Sequence, residues 1–218
     1  NDNVYMKTVK GPLKVDCIYR RLDDNFLDPK AFNKDSVIGV PGLFKCWLKK
    51  NVGIINAVGT GVADDKVVYS YVNRMIVYYL GEQPILNQVE TYLCNDESQK
   101  KYVLENLSKL VVKPANASGG YGIMIGPKAS SKERAEVADK IKKNPREYIA
   151  QPLETLSTAP TITEKNIEPR HLDLRPFVLS GKTNYVTTGG LTRVALRRGS
   201  TIVNSSQGGG SKDTLIVE

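Results

Sequence analysis

A lysine inside an apolar strand, followed at once by small residues, is the stretch of this sequence with the clearest chemistry. Residues 111–122 read VVKPANASGGYG, in which Val111 and Val112 favour an extended backbone and Pro114 ends the strand. The serine and the three glycines that follow leave the backbone open to close approach by a ligand, which larger side chains prevent. A cation beside such an open loop predicts a phosphate-binding site.

A second set of polar side chains lies in the segment PRHLDLRPFVL. Strand alternation places His171, Asp173 and Arg175 on one face and the leucines on the other. Asp173 and Arg175 have two interpretations, a metal–phosphate or carboxylate site and an ion pair on a solvated edge strand. We interpret His171 as structural, because this single histidine has no serine or cysteine motif near it.

Familiar nucleotide-binding motifs do not fit. The P-loop pattern GxxxxGK[ST] fails at GGGSKDT, where Asp213 follows Lys212, and GxGxxG fails after Gly59 because Asp64 replaces the last glycine. A protein kinase places its glycine loop before the strand lysine, whereas here the lysine comes first. Lys212 and Asp213 follow three glycines and are expected on a mobile loop near the site.

Strands and helices alternate in the first two thirds of the chain. VYMKTV and LKVDCIYR predict a hairpin or two neighbouring strands, residues 42–50 a short helix, and VGIINAV a buried strand. The clearest helix begins at Asp64 and Asp65, presents an apolar face through Leu80, and stops at Gly81.

The remaining elements complete an α+β pattern. Helices are predicted at 96–108 and, from the capping-box spacing of Ser130 and Glu133, at about 130–143. Strands are predicted at LVVKP and EYIAQPL, and in a β-rich C-terminal third that contains HLDLRPFVL, NYVTT, LTRVAL, STIVN and DTLIVE. Alternating elements followed by an antiparallel set favour α+β over a doubly wound sheet.

Composition favours a small phosphorylated ligand. The 218 residues include 31 Lys and Arg against 23 Asp and Glu, and the net charge of +8 suits a polyanionic partner. The basic residues are scattered and not interleaved with aromatics, which disfavours DNA or RNA. The three cysteines form no CxxC pair, no apolar run approaches the roughly 20 residues of a membrane span, and no signal segment is evident. We therefore expect a cytoplasmic protein without nucleic-acid or membrane partners.

The order of strand lysine, glycine loop, helix and apolar strand resembles an ATP-grasp lid. The chain is similar to the circularly permuted ATP-grasp family (type 2), whose relatives include glutathionylspermidine synthase. The resemblance rests on VDCIYRRLDDNFLDP, VGIINAVGTGVADDK, LVVKPANASGGYG, YIAQPL, PRHLDLRPFVL, GGLTRVAL and VNSSQGGGSKDT. It implies two α+β subdomains that clamp ATP, with a partial core at 1–94, a lid with glycine loop and hinge strand at 95–155, and a β-rich part of the core at 156–218. It also implies a fold that is incomplete at the N-terminus, as the C-terminal fragment of a longer protein.

The resemblance further implies the roles of individual residues. Lys66 and Lys113 hold the phosphates of ATP, and a helix N-terminus at Lys66 agrees, because it offers unpaired N–H groups to an anion. The loop folds over the β- and γ-phosphates, the backbone of 151–153 meets adenine, and Glu154 contacts ribose. Arg175 and Arg193 neutralise the transferred phosphoryl group, and Asp173 and Asn204 bind or border magnesium. The implied cofactor-binding residues are Lys66, Lys113, Ser118, Gly119, Gly120, Tyr121, Gly122, Gln151, Leu153 and Glu154.

One departure from the family pattern concerns the metal. ATP-grasp enzymes usually hold magnesium with a Glu-x-Asn pair and another acid, but Ile202 stands two residues before Asn204. In the family this pair lies upstream of VDCIYRR. The N-terminal part of a parent chain is therefore an expected partner that supplies metal ligands needed for turnover.

The resemblance implies an ATP-dependent carboxylate–amine ligase that acts through an acyl phosphate. ATP, Mg²⁺, and a small-molecule carboxylate and amine are the expected cofactors and substrates. A phosphotransferase of the same fold and a basic nucleic-acid-binding module remain as alternatives. Arg20, Arg21, Asp23 and Asp24 either bind the acceptor substrate or form an inter-strand salt network.

Overall fold

The computed structural model describes residues 2–116, 122–163, 166–201, 203 and 208–216. The chain divides into two compact units, Asn1–Pro152 and Leu153–Glu218. Helices and strands are both present, which agrees with the predicted α+β class. The finer division into 1–94, 95–155 and 156–218 stays a prediction. Within the described part of the chain, no helix is both long and apolar enough to cross a membrane.

The N-terminal unit begins with the predicted hairpin. Strands β1 (Tyr5–Thr8) and β2 (Gly11–Lys14) pair antiparallel, and Gly11, the first residue after the turn, has a φ of 110°. Strand β3 (Cys17–Tyr19) pairs in parallel with β4 (Gly53–Ile55). The strand predicted at 52–58 is thus shorter than expected. It is also less buried, because among the described strands β4 pairs only with β3, and Ile55 is exposed.

A buried carboxylate holds the two short helices of this region together. Helix α1 spans Asp24–Leu27, and helix α2 spans Leu43–Leu48 within the predicted range 42–50. Asp28 is 1% exposed and accepts hydrogen bonds from the backbone N–H groups of Lys30, Gly42 and Phe44 at 2.9–3.0 Å. Burial raises the pKa of Asp28, but these three donors outweigh it, so the pKa lies below its ordinary value. The core around it contains Leu27, Leu43, Cys46, Val52 and Ile54.

The prediction of a single helix from Asp64 to Leu80 was wrong. A 3-10 turn (Thr60–Asp64) precedes α3 (Lys66–Tyr69), and a break separates α3 from α4 (Val72–Leu80). The side chain of Gln88 bridges the break, since its Nε2 donates to the Tyr69 carbonyl and its Oε1 accepts from the Asn73 N–H at 3.4 Å. In a continuous helix those two backbone groups would bond to each other. The predicted stop is confirmed, since Gly81 caps α4 with φ of 67°.

Lys113 lies on a four-stranded antiparallel sheet, here called the Lys113 sheet, in the N-terminal unit. Its strands are β5 (Tyr92–Leu93), β6 (Leu110–Pro114), β7 (Met124–Ile125) and β8 (Tyr148–Pro152), in the spatial order β5-β8-β6-β7. Helices α5 (Glu97–Glu105) and α6 (Ser131–Lys143) confirm the two helix predictions, and the capping box of α6 is present. The core of this region contains Cys94, Val103, Leu107, Leu110, Val112, Met124, Ile141 and Ala150.

The C-terminal unit is an antiparallel four-stranded sheet, as its β-rich sequence predicted. Strands β9 (Thr158–Ile162), β10 (Ile167–Ser180), β11 (Asn184–Ala195) and β12 (Gly209–Lys212) lie in the order β12-β11-β10-β9. The prediction of a strand at DTLIVE was wrong for the described residues 213–216. These residues form no strand, because the pairing of β12 with β11 ends at Lys212. Lys212 therefore ends a strand and does not lie on a loop, and its ammonium donates to the Pro160 carbonyl.

Candidate functional site

Lys113 is held on the Lys113 sheet by a side chain of the neighbouring strand. Its Nζ donates to Oε1 of Gln151 at 2.6 Å. Burial lowers the pKa of Lys113, and the positive charge of Lys66 lowers it further. A half-buried ammonium with a second cation nearby gains free energy when an anion binds.

Lys66 is brought to the end of the same strand by backbone contacts. It begins α3, where its backbone N–H donates to the Ala115 carbonyl at 3.1 Å. Its Nζ lies 3.4 Å from that same carbonyl oxygen, two residues along the chain from Lys113. The structure thus brings the two predicted phosphate-binding lysines into one region, near enough for the charge of Lys66 to lower the pKa of Lys113, and two nearby ammonium groups fit a polyphosphate.

An ion pair fixes the helix that carries Lys66. Asp65 caps α3 by accepting from the Val67 N–H at 2.8 Å, and it also accepts from Nη2 of Arg146 at 2.7 Å. Burial raises the pKa of Asp65, but these two partners outweigh it, and the pKa lies below the usual value. Since α3 is only four residues long, the contacts of Asp65, more than a helix dipole, position Lys66.

Gln151 has a side-chain role that the sequence did not indicate. It is 8% exposed, and while Oε1 binds Lys113, its Nε2 donates to Oγ1 of Thr91 at 2.8 Å. Thr91 thereby orients the amide of Gln151, and Gln151 orients the ammonium of Lys113. Sequence reasoning missed Thr91, because a threonine 60 residues from its partner carries no local signal.

The other predicted nucleotide-binding residues are placed as follows. Leu153 and Glu154 follow β8 directly and are exposed. Gly122 has φ of 72°, and a side chain there would meet Cγ of Pro114 at 3.0 Å, so this position favours glycine. The remaining loop residues, Ser118, Gly119, Gly120 and Tyr121, lie outside the described residues.

In the C-terminal unit, Asp173, Arg175 and Arg193 form one charged cluster. Asp173 pairs opposite Arg193 in the β10–β11 register and accepts from its Nε at 2.9 Å and from its Nη2. Nε of Arg175 lies 3.8 Å from the same carboxylate. The hydrogen bond from Arg193 is the largest influence on Asp173 and holds the pKa of its carboxyl below the usual range.

This cluster by itself does not fit a magnesium ion. Mg²⁺ is held by oxygen ligands, but the carboxylate of Asp173 already binds Arg193 in a bidentate pair. No group of three His, Cys, Asp or Glu side chains in the described residues could hold a metal ion. Asn204, the other predicted magnesium neighbour, lies outside the described residues.

For Arg20, the structure favours the salt-network interpretation. Its guanidinium is 7% exposed and donates to the carbonyls of Leu22, Asn56 and Ala57. Its Nη2 also lies 2.6 Å from Oδ1 of Asp24. These contacts join the end of β3 to the segment that follows β4.

The sequence of the chain matches a known protein family, and this match agrees with the lysine pair and the α+β elements described above. The model of the circularly permuted ATP-grasp type 2 family matches residues 1–195, so the chain belongs to this family. The resemblance inferred from the sequence motifs is thereby confirmed.

Several longer proteins are similar to the chain. An uncharacterized protein of Synechocystis sp. is 56% identical over 214 residues, which are 98% of this chain and 44% of that protein. An uncharacterized protein of Mycobacterium tuberculosis is 52% identical over 218 residues, 100% of this chain and 40% of that protein. A Frankia casuarinae protein named "Putative glutamate--cysteine ligase 2-2" is 49% identical over 216 residues, 99% of this chain and 25% of that protein. The chain thus spans less than half the length of these curated relatives.

Proposed function

We propose that this chain is the ATP-binding part of an ATP-dependent carboxylate–amine ligase. The observation that carries the proposal is the convergence of Lys66 and Lys113 on the Ala115 end of β6. Membership of the ATP-grasp family supports ATP as the source of the phosphates that these two cations bind.

The proposed reaction has two steps. A substrate carboxylate attacks the γ-phosphorus of ATP and releases ADP, which leaves an acyl phosphate. An amine then attacks the acyl carbon and displaces phosphate, so that an amide forms. Such transfers depend on positioning and charge neutralisation, and no side-chain nucleophile is needed.

The residues of this chain have distinct roles in that reaction. Lys66 and Lys113 bind the phosphates, and the loop of Ser118, Gly119, Gly120, Tyr121 and Gly122 covers them. The backbone of Gln151 to Leu153 meets adenine, and Glu154 meets ribose. Arg175 and Arg193 offset the charge of the transferred phosphoryl group. Bound magnesium would neutralise charge on the phosphate oxygens, and its carboxylate ligands would come from residues other than Asp173, whose carboxylate is already paired with Arg193.

The substrates are proposed only by class. The name of the Frankia relative refers to glutamate and cysteine, and three quarters of that protein lie outside the part similar to this chain. Glutamate and cysteine therefore belong in a substrate panel, together with peptides and with the polyamines that the resemblance to glutathionylspermidine synthase indicates.

The decisive experiment is Mg-ATP binding by the full-length parent with Lys113→Ala. A hydrogen bond to a charged group contributes about 1.5–3 kcal/mol, so the affinity should fall about 10- to 150-fold. Lys109→Ala is the matched control, because Lys109 precedes the same strand and is exposed. Equal ATP affinity in the two variants would refute the proposal.

Product analysis separates the alternatives. The ligase releases ADP and forms an amide that mass spectrometry detects, and it requires an amine. A phosphotransferase forms a phosphorylated product without an amine. A nucleic-acid-binding module would bind oligonucleotides with a steep salt dependence that persists in Lys113→Ala.

A further inference from the structure

Helix α4 has an apolar face that nothing in the described structure covers. Its apolar residues recur at the spacing i, i+3, i+4, i+7 and i+8, the pattern that faces a core in a globular protein. They are Val72, Met75, Ile76, Tyr79 and Leu80. No residue of the helix is buried within the described part of the chain, and Tyr79 and Leu80 are 75% and 64% exposed. A face of this kind indicates a missing neighbour.

The exposed face is large for a surface that stays in contact with water. Tyr78 and Tyr79 contact each other, with ring centroids 4.9 Å apart. From their exposed fractions, the two side chains together present about 300 Å² to solvent. This area already matches the largest apolar patch of many monomeric proteins, before the rest of the helix is added. The face therefore has the size of an interaction surface.

The surface that covers α4 must be apolar. Residues 75–80 include no charged side chain. Arg74 is the one charged residue of α4, and its guanidinium lies 5.3 Å from the centroid of the Tyr71 ring, at the start of the helix. A nucleic acid is bound mainly through Lys and Arg contacts to its phosphates, so this face does not suit one. The face suits the apolar side chains of another protein segment.

Helix α4 depends on its neighbour in order to form. A helix of nine residues is marginal in water by itself, and most helical stability in proteins comes from packing of the apolar face. Because the described residues bury no side chain of α4, that packing must come from elsewhere. A segment of the same polypeptide meets this requirement best, because it is present at high effective concentration while the chain folds.

A second element of the N-terminal unit is incomplete in a similar way. Strands β3 and β4 form a parallel pair without a third strand among the described residues. Tyr19 and Ile55 are partners in the register of this pair, and both are exposed. Parallel strands normally lie in larger sheets that are covered on both faces. This pair, like α4, therefore needs a further part of the protein beside it.

We propose that α4 packs against the part of the full-length protein that lies outside these 218 residues. The relatives contain such a part, because the chain spans 44% of the Synechocystis protein and 40% of the Mycobacterium tuberculosis protein. Since α4 follows α3 after a two-residue break, this packing also supports the helix that begins with Lys66. The inference stands apart from the ligase proposal, because it concerns packing and not the reaction.

Photo-cross-linking in the full-length protein identifies what covers α4. The probe p-benzoylphenylalanine replaces Tyr79, and mass spectrometry identifies the cross-linked peptides. We expect peptides from outside residues 1–218. The same probe in place of Val9, an exposed apolar residue in the β1–β2 turn, is the matched control and should give a much lower yield. A mixture of ¹⁵N-labelled and unlabelled protein recognises a second copy, because cross-links between copies combine the two labels.

Three results of this experiment would overturn the proposal. Cross-links from position 79 to residues 153–218 would assign the cover to the C-terminal unit, and cross-links with mixed labels would assign it to a second copy. An equal yield at positions 9 and 79, including no yield at either, would show that α4 has no specific cover.

Hydrogen exchange tests the cover without a bulky probe. An uncovered helix of this length should exchange its amides at nearly the rate of an unfolded chain. Each large apolar side chain that becomes buried favours the covered state about 10- to 150-fold, so the amides of residues 76–80 should exchange at least about 100-fold more slowly in the full-length protein. Tyr79→Asp should remove most of this protection, because it places a charge in the apolar contact, and Val9→Asp should leave it unchanged. Unprotected amides in the native protein, or equal protection in the two variants, would contradict the proposal.

Discussion

The variant Gln151→Glu tests whether the charge of Lys113 faces the phosphates of ATP. The substitution preserves the shape of the side chain and places a carboxylate where the Gln151 amide oxygen lies 2.6 Å from Nζ. Because residue 151 is 8% exposed, solvent screens this pair weakly. The new carboxylate should raise the pKa of Lys113, which burial and Lys66 lower in the native protein.

The size of the effect on ATP binding follows from Coulomb's law. A phosphate oxygen bound to the other side of the ammonium at about 2.8 Å would lie about 5 Å from the new carboxylate. At an effective dielectric constant of about 20, the two anions repel by about 3 kcal/mol. We therefore expect the Kd for Mg-ATP to rise about 100-fold. The free energy of unfolding should change much less, because desolvation of the carboxylate offsets its attraction to Lys113.

Isothermal titration of the full-length protein with Mg-ATP measures this change, and thermal denaturation measures the stability of the folded state in parallel. Gln99→Glu is the matched control, since it adds the same charge and retains the acceptor for the Leu93 N–H. If both variants bind Mg-ATP with the same affinity, Lys113 does not bind phosphate through the geometry described above.

Two further predictions concern stability and reactivity. Asp28→Asn should lower the free energy of unfolding by about 1–3 kcal/mol at pH 7, because the neutral amide is a weaker acceptor for three backbone donors. The pKa of Asp28 is lowered in the folded state, so this difference is present above the unfolded value of 3.8 and should disappear as acid titrates the native carboxylate, which denaturation from pH 7 to 2 can follow. If the difference persisted unchanged at pH 2, ionised Asp28 would not be its source. Burial raises the pKa of the Cys94 thiol to about 11, so maleimide at pH 8 should label exposed Cys17 in the native protein and Cys94 only after denaturation. Labelling of native Cys94 at the rate of Cys17 would contradict its burial.

The local elements of the fold could be predicted because their signals lie within a few residues of each other. Ser130 and Glu133 cap α6 reciprocally across three residues, and the apolar run at 110–112 forms the buried half of β6. The family could also be predicted from the sequence, because the motifs that indicate it are contiguous stretches. The match of the family model confirms that prediction.

The helix at 64–80 shows why other elements could not be predicted. Its apolar spacing favours one continuous helix, but Gln88, which lies outside that range, takes the two backbone groups that would have bonded to each other. No residue of α4 is buried within the described structure, so the apolar spacing did not indicate packing against these residues. Side chains from beyond a segment can therefore override its local preference.

For this protein, the sequence alone determined the α+β composition, the strand that carries Lys113 and the family to which the chain belongs. Only the tertiary structure decided that Lys66 reaches the end of that strand, that Gln151 and Thr91 orient Lys113, and that the described residues leave the apolar face of α4 exposed. The physical reason is the range of the interactions. Caps and strand alternation join near neighbours in the sequence, whereas the contacts between Lys66 and Ala115 and between Gln151 and Thr91 span 49 and 60 residues and exist only once the chain has folded.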